Sequence, residues 1–250
     1  MTVRIRRVTT TRAGGASLPP FDTFNLGDHV GDDAAAVAAN RDRLATAIGL
    51  PTERLVWMNQ VHGDHVEFVD GPRTGAFDAT DALVTTTPRL ALAVVTADCV
   101  PVLMSDADAG VIGAAHAGRV GAANGVVLRT LEAMLAAGAR AANISVLLGP
   151  AVSGPHYEVP EQMAVDVEAR LPGSRTSTAA GTPALDLRAG IARQLIDAGV
   201  TAIDIDPRCT VADRALFSHR RDAPTGRLAS LVWMDRADDM TLSLIHISEP

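Results

Sequence analysis

The chain has 250 residues, 47% of them hydrophobic and only 3% aromatic, with a formal net charge of -7. That apolar content suffices for one sizeable core of Val, Leu, Ile and Ala, and an acidic balance without a Lys/Arg-rich block argues against nucleic acid and anionic membranes as partners. The two cysteines, Cys99 and Cys209, form no disulfide framework, which points to a reducing, cytoplasmic setting.

The opening "MTVRIRRVTTTRAGG" is positively charged but lacks a following apolar run, so it does not read as a signal peptide. No stretch of about 18 apolar residues reads as a membrane span. "DDAAAVAANRDRLATAIGL" (32–50) predicts a helix capped by Asp32, with Val37, Leu44 and Ile48 near one face and Gly49 with Pro51 as its stop. "RLVWMNQV" (54–61) predicts a strand ending at His62–Gly63, and "HVEFVD" (65–70) its hairpin partner across a Gly63–Asp64 turn.

Strands are then predicted at 81–87, 91–98, 100–106 and 110–118, and their near-continuous apolar character predicts burial on both faces. "NGVVLRTLEAMLAAGAR" (124–140) predicts a helix with Val127, Leu131, Met134 and Leu135 as its apolar stripe. A strand at 144–152 follows, then helices around 161–170 and 186–198 with a loop between them at 171–183. Short strands are predicted at 202–206 and 229–235. This irregular interleaving predicts an α+β fold, a single domain over 1–235 with a mixed, strand-rich core flanked by helices. The final "LSLIHISEP" breaks with the preceding pattern, so 236–250 reads as a tail foreign to the domain and His246 is left out of site reasoning.

His62, Cys99 and His116 share one placement: each stands where an apolar strand gives way to a turn or a small-residue segment. Strand ends bring distant residues together, and a thiolate with two imidazoles suits zinc, leaving a fourth position for water or substrate. The competing chemistry is Cys99 as a nucleophile with His62 or His116 as its base, as in a cysteine hydrolase acting on an amide or amino-sugar peptide. Each residue taken alone also has a plain reading, as a small buried hydrophobe or a hydrogen-bonded imidazole. Gly63, Gly113, Gly118 and Gly121 surround them and permit close backbone approach. A second polar group, "FSHRRDAPTGRLAS", crowds Arg220, Arg221 and Arg227 before the last strand, and Arg12 stands beside two glycines. Guanidinium forks of this kind suit phosphate or carboxylate.

The motifs "TTRAGG", "FNLGDHVGDD", "NQVHG", "DALVT", "TADCVPVLM", "AHAG", "LGPAVSGPHYEV" and "FSHRRDAPTGRLASLVWM" follow one another as in the YfiH-like family, also called the laccase-domain or polyphenol-oxidase family. The chain resembles that family from about residue 8 to 235. The resemblance implies that His62, Cys99 and His116 form a zinc-associated catalytic centre. It also implies phosphorolysis of adenosine, inosine and methylthioadenosine, with deamination of adenosine as a side activity. Purine nucleosides and phosphate are then the partners, with Arg12, Arg119, Arg220, Arg221 and Arg227 as candidates for binding substrate.

One departure stands out: the family commonly reads "HAGWRG", and this chain reads "HAGRVG" from His116 to Gly121, moving the arginine one place earlier, to Arg119. The family's older label implies a copper-dependent phenol oxidase. Thiolate and imidazole bind copper as well as zinc, but a multicopper enzyme needs many histidines, typically in His-X-His pairs. The chain has seven histidines and no such pair, so copper oxidation is the weaker alternative.

Overall fold

The structure, a computed structural model, describes residues 3–236; residues 237–250, with His246 and nearly all of the predicted tail, lie outside the described residues. A four-stranded sheet runs in the order β1 (Val3–Thr9), β12 (Leu228–Arg236), β5 (Ala91–Thr96), β2 (Leu55–Val56). A six-stranded sheet runs β11 (Ala202–Ile205), β8 (Ser145–Leu148), β6 (Val100–Asp106), β7 (Val111–Ala117), β4 (Ala82–Thr85), β3 (Val66–Phe68). Six helices complete the mixed α+β domain: α1 (Ala34–Ile48), α2 (Arg119–Asn124), α3 (Val126–Ala136), α4 (Glu161–Arg170), α5 (Leu187–Asp197) and α6 (His219–Asp222).

The two large sheets pack face to face. Leu92, Val94 and Val232 of one meet Leu83, Leu103 and Ile112 of the other. Alternate residues point outward: Ala93, Val95 and Leu231 pack with Leu44 and Ala45 of α1, while Val84, Val102 and Met104 pack with Leu131 and Met134 of α3 and Ile191 of α5. Every central strand is thus covered on both faces, which is why β5, β6 and β7 read as continuous apolar runs although most of their pairing is antiparallel. A side chain such as Leu103, fully buried between the sheets, contributes about 1.5–3 kcal/mol.

Several expectations change in detail. Residues 54–61 and 65–70 do not form a hairpin: β2 pairs parallel with β5, and β3 pairs parallel with β4 in the other sheet. The intervening chain crosses between sheets, so Gly63–Asp64 does not turn one of these strands back onto the other. The helix predicted over 124–140 is α3, Val126–Ala136; a short helix that was not predicted, α2, precedes it, and Gly125, at φ 92°, ends α2 and begins α3. Leu135 falls off the apolar stripe and is 41% exposed, whereas Val127, Leu131 and Met134 are buried. Asp33, not Asp32, caps α1 by accepting from the Ala35 N–H; the Asp32 carboxylate is taken by the Asn25 amide. The 171–183 loop contains β9 (Arg175–Ser177), which pairs with β10 (Pro183–Leu185). The charged opening segment, read only for what it is not, forms β1. No described helix is long and apolar enough to cross a membrane.

Candidate metal centre

The meeting of Cys99 and His116 follows from strand pairing. β5 ends at Thr96, Asp98 turns the chain at φ 97°, and β6 begins at Val100. β6 and β7 are antiparallel neighbours in the register Val100↔Ala117 and Pro101↔His116. The residue just before β6 therefore lies beside the end of β7. His62 arrives from the segment crossing between the sheets, in a left-handed conformation at φ 60°. Positive φ in a residue other than glycine is sparsely populated and needs support from its surroundings.

Asp81, fully buried at the start of β4, supplies that support. Its Oδ2 accepts the N–H of Val61 at 3.1 Å and of Gly63 at 2.7 Å, and its Oδ1 accepts the His62 N–H at 3.0 Å. The same Oδ1 stands 2.8 Å from His116 Nδ1. A carboxylate only accepts, so Nδ1 carries the proton and Nε2 is left free as a donor atom. One carboxylate thus holds both histidines, the carboxylate–histidine arrangement that orients metal ligands. The sequence reading passed over Asp81; its one signal was an acid opening an otherwise apolar strand.

The ligand atoms of His62, Cys99 and His116 lie within 4.8 Å of one another, and His62 Nε2 stands 3.8 Å from Cys99 Sγ. The two imidazole rings meet edge to face with centroids 4.7 Å apart. Tetrahedral zinc bonds of about 2.0–2.3 Å set donors roughly 3.3–3.6 Å apart, so small rotations close the three donors on an ion. Burial works to raise the Cys99 thiol, but the charge and hydrogen bonds of His116, with His62, outweigh it and hold the thiol at about 6. Burial works to lower His116, but the Cys99 thiolate and the Asp81 hydrogen bond raise it to about 9. The donor set therefore fits a divalent, thiolate-preferring metal.

Two glycines make the approach possible. A Cβ on Gly118 would lie 2.6 Å from His62 Cδ2 and 3.2 Å from Cys99 Sγ, and one on Gly121 would lie 2.5 Å from the Gly63 carbonyl. Gly118→Ala is expected to drive the His62 ring out of reach and to weaken metal binding at least tenfold, for an overpacking cost of about 1–3 kcal/mol. Metal retained after dialysis is the measure, and a full complement would refute it.

The donors open onto a cavity of about 730 Å³, within the usual range for small-molecule sites. Val95, Ala97, Val152 and Leu187 give it apolar wall, and Arg119, Arg220 and Arg227 line it. None of these three arginines makes an ion pair with a carboxylate among the described residues. Burial lowers Arg227, against the raising influence of Cys99 and Asp98.

Arg12 and Arg221 stand elsewhere. Arg12 pairs with Asp22 at 3.2 Å and Asp222 at 3.7 Å and lies over Phe217. Arg221 donates to the carbonyls of Thr210, Val211, Asp213 and Leu216 and pairs with Asp222, pinning that loop. Both serve structural contacts and do not line the cavity. Cys209 lies apart from Cys99, its thiol accepting the Ser153 N–H at 3.4 Å with His156 Nδ1 at 3.6 Å. Tyr157 also lies on the cavity wall, a placement that its sequence surroundings do not signal.

A protein-family model described as multi-copper polyphenol oxidoreductase laccase matches residues 6–235. The chain belongs to that laccase-like family. Its relatives include a protein named purine nucleoside phosphorylase from Mycobacterium tuberculosis, 75% identical over 94% of this chain and 94% of that protein. Another of that name, from Corynebacterium glutamicum, is 57% identical over 93% of this chain and 95% of its own length. The crystal structure of Bacillus licheniformis hypothetical protein YfiH superposes with a TM-score of 0.87 at 32% identity, covering 92% of this chain and 93% of that one.

The "HAGRVG" segment places its two variable side chains differently. Arg119 opens α2 and lines the cavity, whereas Val120 is 44% exposed.

Proposed function

We propose that this chain is a zinc-dependent purine nucleoside phosphorylase of the cytoplasm, acting on adenosine, inosine and methylthioadenosine, with adenosine deamination as a side activity. One observation carries the reading: the His62, Cys99 and His116 donors open onto a cavity whose wall holds three arginines that pair with no carboxylate among the described residues. The names of the relatives support it. In phosphorolysis a phosphate oxygen bonds to the ribose anomeric carbon as the bond to the purine nitrogen breaks. Arg119, Arg220 and Arg227 would hold the phosphate and offset its charge. The apolar wall would receive the base and exclude water. Asp81 keeps His116 in the tautomer that presents Nε2, and the backbone N–H bonds it accepts hold His62 in place. Zinc on the three donors would supply Lewis-acid chemistry, including the activation of water that deamination requires.

The Asp81–His116–Cys99 arrangement also has the order of an acid–base–thiolate triad, which favours a cysteine hydrolase as the second reading. Metal content separates the two, because a metal-held thiolate is not a free nucleophile. A multicopper oxidase has less support: among the described residues this is the one group of three or more such donors found.

The test is chromatography of products after incubating metal-quantified protein with adenosine, with and without phosphate. Adenine and ribose 1-phosphate formed only with phosphate support phosphorolysis, and inosine without phosphate adds deamination. A zinc-loaded protein that leaves adenosine, inosine and methylthioadenosine untouched overturns the reading.

A further inference from the structure

Arg227 stands on the cavity wall immediately before β12. Of the three cavity arginines it is, among the described residues, the one whose guanidinium donates to backbone carbonyls. Its Nη1 donates to the carbonyls of Thr225 at 2.8 Å and Gly226 at 3.1 Å. No described residue accepts from its Nε or Nη2, and both atoms remain accessible. The guanidinium edge that carries Nε and Nη2 is the one that meets two oxygens of an oxyanion at once.

The backbone of Arg227 is clasped by Asn25, a fully buried residue of the "FNLGDHVGDD" segment. Asn25 Oδ1 accepts the Arg227 N–H at 2.8 Å and the Gly27 N–H at 3.0 Å. Its Nδ2 donates to the Gly27 carbonyl at 3.0 Å and to Asp32 Oδ2 at 2.8 Å. The Leu26 N–H in turn donates to the Arg227 carbonyl at 3.1 Å. α1 holds this segment from behind. Asn40 Nδ2 donates to the Asn25 carbonyl at 2.8 Å, and Arg41 donates to the Leu26 carbonyl through Nε at 3.1 Å and Nη2 at 2.9 Å. Gly27 leaves room for the arginine stem, because a Cβ there would stand 2.7 Å from Arg227 Cγ. A long side chain that captures a ligand loses rotamer freedom. Here the carbonyls and the clasp have already removed much of that freedom, so an anion meets a preformed fork.

We propose that Arg227 is the bidentate oxyanion fork of the cavity and that Asn25 and Gly27 are its positioning residues. The identity of that anion as phosphate rests on the phosphorolysis reading; the fork itself does not. A purely structural Asn25 would join two segments of chain without any effect on what the cavity binds.

Calorimetric titration of inorganic phosphate into the metal-loaded full chain separates the two roles. Arg227→Met is expected to weaken phosphate binding at least about tenfold, because two hydrogen bonds to a charged acceptor are lost. Gly27→Ala leaves every hydrogen bond of Asn25 in place but pushes the arginine stem aside, and it should weaken phosphate binding about tenfold as the fork loses its alignment. Asn25→Ala should weaken it comparably, and Gly27→Ala keeps the test open should that buried truncation unfold the chain. Added to Arg227→Met, Gly27→Ala should cause no further loss, because it acts only through the arginine. In turnover, Gly27→Ala should raise KM for phosphate by the same factor and leave KM for the nucleoside and the metal content unchanged.

A Gly27→Ala or folded Asn25→Ala protein that binds phosphate like the wild type, or a Gly27→Ala loss that adds to that of Arg227→Met, would overturn the positioning and leave phosphorolysis standing. Phosphate binding indifferent to Arg227→Met would overturn the fork, again with phosphorolysis intact. A wild-type protein that binds no phosphate removes both. Phosphate binding that falls in Arg227→Met and Gly27→Ala, in a protein that turns over no nucleoside, supports the fork and removes the phosphorolysis reading.

Discussion

Asp81→Asn is expected to empty the metal centre and to lower stability in one step. Both carboxylate oxygens face two donors: Oδ1 meets the His62 N–H and His116 Nδ1, and Oδ2 meets the N–H groups of Val61 and Gly63. An asparagine has the same shape, but either orientation of its amide sets an NH2 group against two donors in a fully buried site. Breaking a buried charged network of this kind costs about 3–5 kcal/mol. Loss of a carboxylate behind a metal-ligating histidine costs a further 10–100-fold, roughly, in metal affinity. Urea unfolding and metal analysis after dialysis check both parts, and an unchanged midpoint with full metal would refute the role given to Asp81.

The effect also has a pH signature. Burial works to raise the Asp81 carboxyl, but His116 and the backbone N–H groups outweigh it and hold it below the ordinary carboxylate range. A depressed carboxyl contributes stability above its unfolded value of about 4 and loses it as pH falls through the folded value. The gap between wild type and Asp81→Asn should therefore be full at neutral pH and narrow in acid.

Cys99→Ala is expected to abolish turnover while leaving the fold intact. The substitution removes one of three donors and the only thiolate among them, so the loss of metal affinity should exceed the 10–100-fold, roughly, of a change behind a ligand. Cys99 is half-buried at a turn, so the alanine protein should unfold close to the metal-free wild type. A metal-binding, active Cys99→Ala protein would remove the centre from the chemistry.

A companion measurement tests the electrostatics. In chelated wild-type protein, alkylation of Cys99 by iodoacetamide, followed by peptide mass spectrometry, should rise through about pH 6, where the thiol is held. His116→Ala should move that midpoint upward, because the imidazolium charge that favours the thiolate is gone. A wild-type midpoint near the ordinary thiol value of about 8.5 would contradict the pairing.

Much of this was legible in the chain itself. Apolar runs at 91–98, 100–106 and 110–118 announced doubly covered strands, because a strand with water on one face must alternate. The helices at 161–170 and 186–198 appeared where periodicity and punctuation placed them, as α4 and α5. Cys99 and His116 were suspect because polar, reactive atoms stood at the ends of segments that otherwise had to be dry. These are local properties, and periodicity with residue chemistry suffices to read them.

What tertiary structure decided was which distant segments meet. The false hairpin at 54–70 looked sound locally, but β2 and β3 join different sheets, and the chain crossing between them brings His62 to the centre. Asp81 carried only the mark of an acid opening an apolar strand, because its four donors come from residues 18 to 35 positions away in the chain. The five arginines were alike in sequence, being equally charged and equally long. Only the path of the folded backbone sorted them, sending Arg119, Arg220 and Arg227 to the cavity and committing Arg12 and Arg221 to carboxylates and carbonyls that sequence spacing does not bring together.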